Sequence, residues 1–215
     1  MSFASLHTFA NPSLLTQAMT HPSYANEHPG VPTNQRMELL GDAVLQLIVS
    51  EVLLARYPDW AEGQISKARA LVVDRRSCAA MAERLGMRGA VRTERGLVVA
   101  ARSKVLADVF EAWVAAVYLD AGLEVCRAVL VPLLPTDVAP EAIVDPKSKL
   151  QELCQGRGLA LPTYVGTASG PAHDLRHEFY VTVAGVTYGP GVGTRKRTAE
   201  FEAARLALRG IGEPE

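Results

Sequence analysis

The chain has too little cysteine for a disulfide framework. Its 215 residues include only Cys78, Cys126 and Cys154, widely spaced and each among apolar neighbours. They read as core thiols in a reducing cytoplasm, not as a bridge set or a zinc site. Long apolar runs are also missing. No stretch of 18 or more apolar residues could span a bilayer, and no basic segment leads into an apolar one as in a secretory leader. Internal repeats and low-complexity tracts are absent as well. What remains, 48% hydrophobic and 21% charged residues, is the composition of a soluble globular protein, long enough for one large domain or two small ones.

Net charge is only −1, which by itself argues against a nucleic-acid binder. Its distribution argues otherwise. Residues 1–66 carry 2 basic and 6 acidic groups, and residues 67–104 carry 10 and 3. Residues 105–144 carry 1 and 6, and residues 145–215 carry 9 and 8. One basic stretch thus lies between two acidic ones. An enzyme gathering carboxylates for a metal and cations for phosphate has this pattern. Solvated charge fluctuation has it too, and charge alone does not decide.

Residues 34–56 read as a strongly apolar helix with Asn34 as N-cap, ending before Pro58. Its apolar residues lie on nearly every face, so a central, buried helix is expected. Residues 63–85 are helical in pattern and rich in arginine. Residues 103–120 form a second apolar helix, capped by Ser103 and stopped by Gly122. Four prolines between 132 and 146 mark a linker. Beyond it come a short helix (147–156), two alternating stretches (162–168 and 178–187), a Gly-rich segment, GPGVGTRKR, and a last helix (197–210). That order describes a small α+β domain.

Two carboxylate pairs stand out. Glu38 and Asp42 are spaced i, i+4 in MELLGDAVL, and Asp108 and Glu111 are spaced i, i+3 in LADVFEAWV. Each pair shares one helix face, where like charges repel. Among apolar residues the desolvation cost rises unless the charges are compensated. Mg²⁺, which prefers carboxylate oxygens, would compensate them. A hard cation also suits phosphodiester hydrolysis, because it acidifies water and stabilises charge on phosphoryl oxygens. The same acids could instead face solvent or pair with arginines of the basic stretch. Spacing alone does not identify a metal site.

Four blocks together carry a resemblance: THPSY (20–24), NQRMELLGDAVL (34–45), EGQISKARALVV (62–73) and LADVFEAWVAAVYLDAG (106–122). Their order and spacing resemble the ribonuclease III family. The resemblance implies an all-α endonuclease domain over residues 1–134, a linker over 135–145, and a double-stranded-RNA-binding domain of α-β-β-β-α order over 146–212. It places Glu38, Asp42, Asp108 and Glu111 on the family's metal-binding carboxylates, with Asp42 and Glu111 catalytic. Glu62 falls on a further acid near the active-site valley. The implied cofactor is Mg²⁺, with Mn²⁺ able to substitute, and no small-molecule cofactor or membrane partner is implied. The implied assembly is a cytoplasmic homodimer with Leu39 at its interface. Each subunit would cut one strand of double-stranded RNA, leaving 5′-phosphate, 3′-hydroxyl and two-nucleotide 3′ overhangs. Ribosomal RNA precursors and structured messengers are the substrates that the family suggests.

The C-terminal part resembles the family's RNA-binding module through KSKLQELCQGRGLALPTY (147–164), SGPAH (169–173) and TRKRTAEFEAARLAL (194–208). A-form RNA is read through 2′-hydroxyls and phosphates, not through its deep major groove. The resemblance puts Gln151, Glu152, Pro171 and His173 on 2′-hydroxyls. Arg195, Lys196 and Arg197, at a helix start, suit phosphate.

Some positions depart from the family pattern. Gln35 stands where a glutamate is usual, leaving any RNA contact there to an amide. Leu39 replaces the phenylalanine that commonly plugs the partner subunit. Lys104 replaces the serine or threonine of bacterial members and matches Dicer-like ones. Its ammonium either reaches the scissile phosphate as a catalytic group or simply pairs with Asp108. His173 is followed by five residues before Phe179, where three are usual. A non-cleaving RNA-binding protein is the runner-up reading, supported by Gln35 alone. A DNA-directed nuclease is disfavoured by the C-terminal module.

Overall fold

The computed structural model describes residues 2–135, 137–139, 143, 145–171 and 174–212. The chain divides into two compact units between Val138 and Ala139. No helix among the described residues is long and apolar enough to cross a membrane.

The first unit is helical. Two short helices, α1 (Pro12–Ala18) and α2 (Pro22–Glu27), precede the long α3 (Gln35–Arg56). Helices α4 (Glu62–Val72) and α5 (Arg75–Arg84) lead to α6 (Lys104–Leu130). The arginine-rich stretch expected as one helix is therefore two. Asp74 breaks it, because its side chain accepts a 2.7 Å hydrogen bond from the Ser77 amide and starts a new helix. Gly122 interrupts α6 with φ 80°, and the chain resumes helix beyond it to Leu130.

The buried centre is α6, not α3. Leu106–Phe110 and Ala112–Val117 are buried on every side of α6. Helix α3 buries only the stripe Met37, Gly41, Val44, Leu45, Ile48, Val49 and Leu53, each large member contributing about 1.5–3 kcal/mol. Its opposite face leaves Leu39, Leu47 and Leu54 exposed, at 76%, 46% and 58%. Asn34 and Ser103 stand at the expected N-cap positions of α3 and α6. Neither Asn34 nor Ser103 caps its helix through its side chain. Asn34 is buried instead, and its Nδ2 donates to the Ala18 carbonyl at 3.3 Å, tying α3 to α1. The proline-rich stretch begins docked to the first unit, since the Val138 amide donates to the Tyr57 hydroxyl at 3.0 Å.

In the second unit, α7 (Pro146–Gly156) is followed by β1 (Thr163–Ser169), β2 (Arg176–Val183), β3 (Val186–Gly193) and α8 (Lys196–Gly210). The sheet is antiparallel in the order β1-β2-β3. The stretch 178–187 thus holds most of β2, a turn and the start of β3, and the Gly-rich segment supplies the rest of β3. Its glycines serve helix packing. A Cβ on Gly191 would lie 2.2 Å from the Ala199 oxygen and the Ala203 nitrogen of α8. The core joins Leu150 and Cys154 of α7, Val181 and Val183 of β2, and Ala203, Ala204 and Ala207 of α8.

Candidate active site

Helices α3 and α6 touch backbone to backbone at Gly41. A Cβ there would lie 1.7 Å from the Glu111 carbonyl oxygen. This contact brings the carboxylates of the two helices together. Glu38, Asp108 and Glu111 each place an oxygen so that all three lie within 4.8 Å of one another. Asp42 stands beside this group and not in it, its Oδ2 accepting a 2.7 Å hydrogen bond from Gln46 Nε2. Asp42 is still close enough to act on Glu111. Burial, then the charges of Asp42, Glu38 and Asp108, push the Glu111 carboxyl up to about 7. Lys104 opposes them.

Lys104 opens α6. Its Nζ lies 2.6 Å from Asp108 Oδ2 and 3.8 Å from Glu38 Oε1. The hydrogen bond to Asp108 raises its pKa, with partial burial opposing. Cys78 of α5, read from the sequence only as a core thiol, packs next to the cluster. Burial, then the negative charge of Glu111, push its thiol up to about 12, and its Sγ donates to the Val73 carbonyl at 3.5 Å. No spacing rule links Cys78 to acids on other helices.

The other expected residues of the first unit are not gathered. Gln35 is exposed at the first position of α3, one turn before Glu38. Glu62 is exposed at the start of α4 and accepts a 2.7 Å hydrogen bond from Ser66 Oγ. Leu39 points away from the core.

In the second unit, Gln151 and Glu152 are exposed on α7, and Pro171 is exposed after β1. Arg195, Lys196 and Arg197 are exposed at the start of α8. Lys196 Nζ is 3.8 Å from Glu200, and Arg197 is 3.8 Å from Asp145. At partly exposed sites and this distance such pairs leave the cations available to phosphate. His173 lies outside the described residues.

The donor set of the cluster fits a hard divalent cation: three converging carboxylate oxygens, with a fourth acid alongside. The elevated Glu111 carboxyl reflects burial first and, beyond it, negative charge that Lys104 only partly offsets.

Two family models match the chain, Ribonuclease-III-like over residues 11–136 and double-stranded RNA binding motif over residues 146–211. Ribonuclease 3 of Thermobifida fusca is 44% identical over 207 residues, covering 93% of this chain and 86% of that one. Ribonuclease 3 of Mycobacterium leprae is 42% identical over 208 residues, covering 92% and 87%. The nuclease domain of ribonuclease III from Campylobacter jejuni superposes with a TM-score of 0.53 at 33% identity, over 61% of this chain and 92% of that chain. With a helical nuclease unit that holds the acid cluster and an RNA-binding unit that follows it, the chain belongs to the ribonuclease III family.

Proposed function

We propose that the chain hydrolyses both strands of double-stranded RNA as a Mg²⁺-dependent homodimer, leaving 5′-phosphate and 3′-hydroxyl ends with two-nucleotide 3′ overhangs. Ribosomal RNA precursors and structured messengers in the cytoplasm are its proposed substrates. The observation that carries this reading is the convergence of Glu38, Asp108 and Glu111 within 4.8 Å in the ribonuclease-III-like unit. These three, with Asp42, would hold the metal, and Mn²⁺ would substitute for Mg²⁺ through the same hard oxygens. A bound ion would supply Lewis acidity toward the phosphodiester and lower the pKa of water. Gly41 and Gln46 position the acids, the first through the helix contact and the second through its bond to Asp42. Asp42 and Glu111 are the proposed catalytic acids, and Lys104 offers a cation to the phosphate undergoing attack.

The nuclease unit is assigned to residues 1–134 and the RNA-binding unit to 146–212, joined by 135–145. Arg195, Lys196 and Arg197 would take phosphates. Gln151, Glu152, Pro171 and His173 would meet 2′-hydroxyls, and Gln35 and Glu62 would contact RNA near the cut. Incubating the purified chain with a long RNA duplex and Mg²⁺, then mapping the ends, tests the reading. Duplex fragments with two-nucleotide 3′ overhangs are expected. Tight duplex binding without any cleavage would favour the non-cleaving alternative.

The dimer reading draws on the α3 stripe of Leu39, Leu47 and Leu54, left open in a single chain. The Campylobacter jejuni structure is described as containing a region involved in dimer formation. A second copy of this chain is the proposed cover. Leu39→Asp should therefore give a folded monomer, because the side chain is exposed in one chain and buried only in the pair. Light scattering and circular dichroism read the two properties together. An intact dimer would remove Leu39 from the interface.

A further inference from the structure

We propose that Lys104 is a built-in counter-ion that occupies the cation's seat and is exchanged for the metal when it enters. The inference rests on the metal-site reading above and assigns Lys104 a task before any RNA is bound.

The ammonium already sits where a cation belongs. It lies 2.6 Å from Asp108 Oδ2 and 3.8 Å from Glu38 Oε1. Those two carboxylates and Glu111 are the three that converge within 4.8 Å. An ammonium and a divalent ion therefore seek the same oxygens. Asp108 is the focus of the competition, since its side chain is only 12% exposed and its charge needs a partner. Lys104 supplies that partner from one turn away on the same helix. The lysine side chain itself is 58% exposed, so its four-carbon stem has solvent to swing into. A divalent ion brings twice the charge and binds carboxylate oxygen directly, so it displaces the ammonium and repels it. The released ammonium then faces the open side of the cluster, where a phosphodiester is the nearest anion the substrate offers. Holding the acids together without metal and meeting phosphate with metal are thus two positions of one side chain.

The sign of the effect on metal binding separates this exchange from a supporting role. Removing a competitor tightens binding, whereas removing a group that merely organises the acids weakens it. Lys104→Met keeps the length of the stem and drops the charge, and the exposure of Lys104 lets the variant fold. Arg75→Met is the control. Arg75 is the other cation whose field reaches Lys104, and no ion pair seats it on the three acids among the described residues.

The experiment is calorimetric titration of Mn²⁺ and Mg²⁺ into the RNA-free full chain at low salt, for wild type, Lys104→Met, Arg75→Met and Glu111→Gln. Lys104→Met should bind the cation about tenfold more tightly and Arg75→Met less than about threefold more tightly. Equal tightening in the two would replace the seat with a diffuse field and overturn the proposal. Unchanged or weaker binding by Lys104→Met, with binding lost in Glu111→Gln, would overturn it and leave the metal site standing. Wild-type affinity in Glu111→Gln would remove the metal site and this proposal with it.

Discussion

Glu111→Gln should abolish cleavage and, without metal, make the protein more stable above neutral pH. The two effects have one cause. Burial first, and then the charges of Asp42, Glu38 and Asp108, push the Glu111 carboxyl from 4.5 up to about 7. The folded protein therefore holds this proton more tightly than the unfolded chain does. The resulting stabilisation is complete below about pH 4.5 and is lost as pH rises through about 7. For a fully buried group its size would be roughly 3.4 kcal/mol, and solvent screening of this half-buried carboxyl reduces it to about 2–3 kcal/mol. Glutamine keeps the shape and removes the titration, so the variant's stability should change less between pH 5.5 and 8.5. Thermal unfolding in chelator at those two pH values reads this directly. A metal ion takes the place of the proton, so Mg²⁺ should stabilise the wild type more at pH 8.5 than at pH 5.5. An amide cannot provide the anionic oxygen, so the Mg²⁺-dependent cleavage rate should fall by about a thousandfold or more. Duplex affinity measured in Ca²⁺ should hold, because Arg195, Lys196 and Arg197 lie in the other unit. Wild-type cleavage by the variant would take Glu111 out of the chemistry.

The parts of this site that were legible in the sequence are those set by helical spacing. Glu38 and Asp42 share a face at i, i+4, and so do Lys104 and Asp108. A period of 3.6 is enough to infer both. Lys104 does pair with Asp108, whereas Asp42 turns to Gln46 and stands outside the three converging oxygens. The convergence of Glu38 with Asp108 and Glu111 depends on how closely two helices approach, and no local pattern encodes that distance. Cys78 was illegible for the same reason, since α5 carries it to Glu111 from outside either acidic motif. The missing side-chain bonds at the two caps have a different origin. Asn34 and Ser103 stand where cap residues stand, yet tertiary partners claim Asn34, and a rule built on local hydrogen bonds cannot see them. The GPGVG segment was hidden by propensity. Glycine argues against a strand, but here Gly191 makes room for α8 against β3. Helix α3 looked apolar all round because one of its apolar stripes faces away from the core of a single chain. The same pattern arises whether the cover is the core or a partner, so periodicity does not tell them apart.

Gly41→Ala should cost the nuclease unit about 3 kcal/mol or more, against the usual expectation for a helix interior. On an open helix the exchange gains up to about 1 kcal/mol, because alanine is the better helix former. At position 41 the new Cβ would lie 1.7 Å from the Glu111 carbonyl oxygen, 2.5 Å from its carbon and 3.2 Å from the Ala115 nitrogen. All three are backbone atoms of α6, so no rotamer change relieves the overlap. The helices must part by about 1.7 Å or more to restore ordinary contact. Parting them opens the packing of Met37 against Ala112, Ala115 and Ala116, a group of small residues suited to close approach. Overpacking of this kind belongs with the largest single-site penalties. The site suffers with the fold. Glu38 and Asp42 flank Gly41 on α3, so they retreat from Asp108 and Glu111 as the helices part. Protein that stays folded should cleave about a hundredfold more slowly, the penalty of a misplacement near 1 Å. Gly63→Ala provides the comparison, since a Cβ at that α4 position meets nothing within 4 Å. Denaturant unfolding of both variants decides the matter: the Gly63 change should be neutral or slightly stabilising, and the Gly41 change strongly destabilising. A Gly41→Ala protein as stable and as active as the wild type would mean that α3 and α6 do not meet at this glycine.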